Sequence, residues 1–136
     1  MSNSIIIYSS TDGHTKTICE RIFNFATNRN SIKIISLDEA TKFDLSEFNK
    51  IIIGASIRYG KHSKNLYKFI ELNKEVLNKK YSAFFSVNVV ARKVEKNLPE
   101  TNPYVKKFLK ISKWRPNTIA VFAGKVDYPK YSFFDK

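Results

Sequence analysis

The chain is poor in the residues from which many small sites are built. It has one cysteine, Cys19, in 136 residues. A single thiol excludes a disulfide framework and a cysteine-based zinc site. Its two histidines, His14 and His62, have no third ligand nearby in the sequence and make no metal site. Glycine occurs four times, never in the Gly-x-Gly-x-x-Gly spacing of a dinucleotide fingerprint and never before the Lys-Ser/Thr of a nucleotide phosphate loop. No apolar run approaches the ~18 residues of a membrane span. No charged-then-apolar leader precedes the first strand, so the expected compartment is the cytosol. Internal repeats and low-complexity linkers are absent. Acidic residues are also scarce, with 12 Asp and Glu against 24 Lys and Arg, a net charge of +12.

That charge is uneven. Residues 1–60 carry 7 basic and 6 acidic side chains, while residues 61–136 carry 17 and 6. The abundance of Lys, Asn and Ile fits an AT-rich coding bias, but such a bias does not confine net charge to one half. The asymmetry points to an anionic partner. The apolar share of 43% is that of a folded globular domain long enough to bury its own core.

Five short apolar runs read as buried strands: 4–8, 32–37, 51–55, 83–90 and 118–123. Each is rich in Ile, Val or Phe and bounded by polar or turn residues. Helical stripes lie between them. Over 15–28, Ile18, Ile22, Phe25 and Ala26 share one face. Ser63 caps a helix in which Leu66, Phe69, Ile70 and Leu77 share a face. Asn102 and Pro103 form a cap and first-turn proline ahead of Tyr104, Val105, Phe108, Leu109 and Ile111. Between the second and third strands, 44–48 predicts only a short turn. Alternation of this kind gives a parallel sheet with helices on both faces, whose ligand sits at the carboxyl ends of the strands.

The first such end is the most informative. Ser9-Ser10-Thr11-Asp12-Gly13-His14-Thr15 runs directly into a helix. A helix N-terminus offers free N–H groups and a positive dipole end, and hydroxyls and a glycine beside it suit a phosphate. The string Ser10–Thr15 resembles the FMN-phosphate loop of flavodoxins, Ser/Thr-x-Thr-Gly-x-Thr. Asp12 departs from that pattern, because a carboxylate repels phosphate; its side chain is expected to point away. His14 reads equally as a ligand contact and as a backbone-positioning residue.

Later strings narrow the resemblance. Gly54-Ala55-Ser56-Ile57-Arg58-Tyr59-Gly60, Ser86-Val87-Asn88-x-Val90-Ala91-Arg92-Lys93, Lys107-Phe108-Leu109, Trp114-Arg115-Pro116 and Ala123-Gly124-x-x-x-Tyr128-Pro129-x-Tyr131 together resemble the flavodoxin-type, quinone-dependent protoporphyrinogen oxidases of bacteria. The match covers nearly the whole chain. It implies a flavodoxin-like α/β domain over residues 1–136, doubly wound, with a five-stranded parallel sheet. It also implies an FMN enzyme of haem biosynthesis that oxidises protoporphyrinogen IX to protoporphyrin IX and passes the electrons to menaquinone or ubiquinone. The flavin carries the redox step, so no catalytic side chain is expected.

By the same resemblance Ser10, Thr11, Asp12, Gly13, His14 and Thr15 hold the FMN phosphate. Ser56, Ile57, Arg58, Tyr59 and Gly60 line one side of the flavin ring. Tyr59 reads equally as a ring stack and as a core-edge residue. Phe85, Ser86, Val87 and Asn88 meet the ring's polar edge, and Arg58, Arg92, Lys93 and Arg115 meet the substrate propionates. An anionic membrane surface is the expected docking partner, on the cytoplasmic face of the inner membrane, and nucleic acid is not expected.

Members of the family continue through a basic, partly apolar insertion to a final helix. This chain is expected to lack both, to be less stable for it, and to bind FMN more weakly. An FMN electron carrier and an inactive truncated remnant are the alternative readings, although carriers of that kind are usually acidic. Cys19 and Trp114 read as packing residues, and His62 as a solvated loop residue. Lys106, Lys107, Lys110 and Lys113 read as a solvated helix face or a membrane contact.

Overall fold

A computed structural model of the chain describes residues 3–9, 19–20, 31–57, 62–88 and 97–122. In chain order the elements are β1 (Ser4–Ser9), β2 (Ile32–Ser36), α1 (Leu37–Ala40), a 3-10 turn (Leu45–Glu47), β3 (Lys50–Ser56), α2 (Lys64–Leu72), α3 (Lys74–Lys79), β4 (Tyr81–Val87), α4 (Pro103–Ser112) and β5 (Thr118–Phe122). The strands form one sheet in the order β2-β1-β3-β4-β5, and every pairing is parallel. This is the expected five-stranded doubly wound sheet.

The strand sequences explain the layering. Side chains alternate between faces, and both faces are covered, so the central strands carry unbroken Ile or Phe runs. Ile5, Ile7, Ile51, Ile53 and Phe84 face a core completed by Leu66, Phe69 and Ile70 of α2, Leu77 of α3, Phe108 of α4, and Trp114. Ile6, Ile52, Ala83, Phe85 and Val87 face the other side with Cys19 and Phe122. Phe84 lies flat on Phe108, ring centres 3.8 Å apart, and Trp114 meets both rings edge-on. The Trp114 indole donates to Ser82 Oγ at 3.1 Å, so it packs and anchors the approach to β5.

Several expectations need correction. The fourth strand spans Tyr81–Val87, earlier than the apolar run suggested, because Tyr81 and Ser82 pair with β3 despite their polarity. Leu37 leaves β2 to start α1, where Ser36 accepts from Glu39 N. The 66–77 stripe belongs to two helices. α2 ends at Asn73, whose backbone leaves helical angles at φ −112° and ψ 14° while its side chain donates to Phe69 O at 2.9 Å, and Asn73 O accepts from Leu77 N to open α3. Ile111 is 50% exposed, and Ser112 is buried in its place. Cys19 is buried and helical as expected; the remaining 15–28 stripe lies outside the described residues.

Candidate functional site

The carboxyl edge of the sheet gathers residues from distant parts of the chain. β1, β3 and β4 end nearly level, with Ser9 opposite Ala55 and Ser56 opposite Val87. The chain leaves β1 for β2 on one side and returns to β3 on the other, so the strand order reverses at β1 and β3. Ligands of doubly wound sheets sit at such a reversal. Ser56 and Ile57 are half-buried there, Ile57 N–H donates to Val87 O at 3.1 Å, and Ser9 Oγ lies 3.4 Å from Ser63 Oγ. Ser9, Ser56 and Ser63 bring hydroxyl groups to this edge. An anionic phosphate-bearing cofactor fits those donors.

Behind this edge runs a buried chain of polar side chains. His62, Ser86, Asn88 and Asn102 are all at least nine-tenths buried. The amide directions follow from the start of α4. Asn102 Oδ1 accepts from Tyr104 N at 3.1 Å and Val105 N at 3.3 Å, which fixes that atom as oxygen. Asn88 Nδ2 therefore donates to it at 3.3 Å, and Asn102 Nδ2 donates back to Asn88 Oδ1 at 2.9 Å. The same Asn88 nitrogen donates to Ser86 Oγ at 3.0 Å. Ser86 Oγ lies 3.0 Å from His62 Nε2; the hydroxyl donates to the ring when its proton is on Nδ1 and accepts from it when the proton is on Nε2. Burial lowers the His62 pKa from 6.5 to about 4, which keeps the ring neutral near pH 7.

His62 therefore corrects the expectation of a solvated loop residue. It is 3% exposed and packs edge-on against Phe84 and Phe108. A sequence signal was available: His62 directly precedes the cap Ser63, whose Oγ accepts from Leu66 N. A hydrophobic residue before a helix cap often packs inward, and His62 takes that place as an imidazole against Phe84 and Phe108. Asn102 was legible as a cap, but not as the partner of Asn88.

The other expected site residues divide clearly. Ser56 and Ile57 stand at the edge, and Val87 and Asn88 close β4 beside them. Ser86 is committed to His62 and Asn88. Phe85 is a correction: it is fully buried on the opposite face of the sheet, with its ring edge-on to Phe122 and directly over Gly54. Arg115 is a second correction. It follows α4 at the amino edge of the sheet, just before β5, and its guanidinium reaches Leu109 O at 3.4 Å. It therefore lies a strand length from the carboxyl ends. Ser10, Thr11, Asp12, Gly13, His14, Thr15, Arg58, Tyr59, Gly60, Arg92 and Lys93 lie outside the described residues.

Comparison with known proteins bears on this geometry directly. The flavodoxin domain family profile (Flavodoxin_5) matches residues 5–136. The chain belongs to this flavodoxin family. It is 40% identical over 134 residues to the Leishmania major protein named protoporphyrinogen IX dehydrogenase [quinone], covering 97% of this chain and 58% of that protein. It is 38% identical over 138 residues to the Escherichia coli K12 protein of the same name, covering 98% of this chain and 74% of that protein. The chain thus groups with these dehydrogenases within the family, while spanning between about half and three quarters of their length. A solved flavodoxin from Fusobacterium nucleatum, bound to flavin mononucleotide, superposes with a TM-score of 0.59 at 13% identity, over 88% of this chain and 70% of that one. At that identity the likeness is one of fold.

Proposed function

We propose that this chain binds FMN at the carboxyl edge of β1, β3 and β4 and uses it to oxidise protoporphyrinogen IX to protoporphyrin IX, with menaquinone or ubiquinone as acceptor. The observation that carries this reading is the 38% identity, over nearly the whole chain, to a dehydrogenase named for that substrate and acceptor class. The carboxyl edge supports it, since Ser9, Ser56 and Ser63 bring hydroxyl groups to the ends of β1 and β3.

In this reading Ser10–Thr15 hold the phosphate through backbone N–H and hydroxyl groups. Ser56, Ile57, Arg58, Tyr59 and Gly60 flank one side of the ring, and Val87 and Asn88 close the other. Bound FMN would supply the electron acceptance that no side chain can. Arg58, Arg92 and Lys93 are proposed to pair with the two propionates, since fixed cations recognise carboxylates strongly. We further propose peripheral docking on an anionic membrane surface, on the cytoplasmic face where the quinone is within reach.

Titration of the purified chain with FMN, read by flavin fluorescence quenching, tests the first step. Anaerobic turnover of protoporphyrinogen with a soluble quinone, read by porphyrin fluorescence, tests the second. FMN binding without turnover would favour an electron carrier, and no FMN binding at high concentration would reject the reading.

A further inference from the structure

The carboxyl end of β4 is tied on three sides. Val87 O accepts from Ile57 N–H at 3.1 Å, just past β3, and Asn88 N–H donates to Phe122 O of β5 at 2.9 Å. Those two ties are main chain only. The third runs to the start of α4 and is made by side chains. Asn88 Nδ2 donates to Asn102 Oδ1 at 3.3 Å, and Asn102 Nδ2 donates back to Asn88 Oδ1 at 2.9 Å. Asn88 Nδ2 also donates to Ser86 Oγ at 3.0 Å. A carboxamide has two N–H donors, so both of those on Asn88 are spent inside the protein. Asn88 is 5% exposed, and Asn102 is wholly buried.

Capping α4 does not by itself account for asparagine at position 102. A cap needs one acceptor, and Ser and Asp cap a helix about as well as Asn. Asn102 Oδ1 meets that need by accepting from Tyr104 N and Val105 N. The Nδ2 donor is surplus to the cap, and a buried donor is costly unless it is hydrogen-bonded. It is the atom that reaches Asn88. Two reciprocal hydrogen bonds between carboxamides fix orientation as well as distance.

We infer that Asn102 is a positioning residue for the carboxyl end of β4: it holds the Asn88 amide turned inward, so that β4 meets a ligand at this edge with main chain and not with the Asn88 side chain. That the ligand is FMN rests on the proposed function; the hold on β4 does not.

Residue-resolved amide exchange on the ligand-free chain tests the hold. Asn102→Ser keeps an acceptor for the cap but is too short to reach Asn88. The Ile57 and Asn88 amides are expected to exchange about tenfold faster than in the wild type, with Val105 staying within about twofold. Unchanged exchange at Ile57 and Asn88 would overturn the inference, whether or not FMN binds. With FMN, Asn102→Ser and Asn88→Leu are each expected to weaken binding about tenfold and to shift the flavin midpoint potential. Both remove the same pair, so the double variant should lose little more than either alone. Additive losses, or a loss many times larger in Asn88→Leu, would show the Asn88 side chain acting on the cofactor directly and overturn the inference. A lower melting temperature with unchanged Kd and potential would reduce the pair to a structural role and overturn the positioning. A wild-type chain that binds no FMN would reject the proposed function, while the exchange data still decide the hold on β4.

Discussion

Gly54 and Phe85 lie opposite each other on β3 and β4, and their pairing is steric. A Cβ on Gly54 would fall 2.0 Å from Phe85 Cζ and 2.4 Å from both Cε atoms. The ring is fully buried against Phe122 and has little room to retreat. Gly54→Ala is expected to destabilise the fold by about 1–3 kcal/mol through overpacking. Adding Phe85→Leu should recover part of that loss relative to Phe85→Leu alone. Urea denaturation of the four-member cycle reads the coupling, and simple additivity would count against this account. The glycine stood out in the sequence as part of a motif; its reason did not, because the reason is the Phe85 ring in the neighbouring strand.

His62 shows the same limit with a chemical consequence. The folded ring, with its pKa lowered to about 4 by burial, is neutral down to that pH, while the unfolded ring titrates near 6.5. Between those values the unfolded chain binds more protons. Stability therefore falls as pH drops through the window, and the contribution is complete above pH 6.5. The magnitude is on the order of 3 kcal/mol. Melts of the wild type and His62→Gln from pH 7.5 to 4 should diverge, the variant showing the flatter profile. Parallel profiles would remove His62 as the titrating group.

At the scale of elements, the strands were legible because each is a short apolar run, and β1, β3 and β4 are buried along most of their length. The break between α2 and α3 was not. The 66–77 stripe keeps its face through Asn73, where the backbone departs from helical angles at φ −112° and ψ 14°. The start of α4 was legible from Asn-Pro, and its energetic weight can be tested. Asn102 caps two N–H groups and also partners Asn88. Asn102→Ala removes both functions and is expected to cost about 2–3 kcal/mol. Asn102→Asp retains an acceptor for the cap but offers no N–H to Asn88 Oδ1, so it should fall between. If alanine and aspartate prove equal in chemical denaturation, the cap carries no weight and the amide pair carries all of it.

The whole molecule is organised by charge as much as by packing. α4 has no acidic residue from Asn102 to Lys113. Lys106, Lys107, Lys110 and Lys113 are exposed, with half-exposed Ile111 among them. Among the described residues these lysines enter no salt bridge, whereas Lys74 and Lys79 pair with Glu71 and Glu75. The helix also begins at Asn102, beside the carboxyl edge proposed to hold the flavin, so one basic face starts where the chemistry is proposed to occur. A lysine near an anionic bilayer contributes about 1 kcal/mol. Lys106→Gln with Lys107→Gln should then weaken partitioning onto vesicles rich in anionic lipid by about 30-fold. Raised salt should weaken the wild type as well, because the attraction is screened within a Debye length. Lys33→Gln with Lys42→Gln removes the same net charge beside β2, at the opposite edge of the sheet, and should change partitioning far less. Equal losses from the two pairs would make the attraction a matter of net charge alone and remove α4 as the docking face.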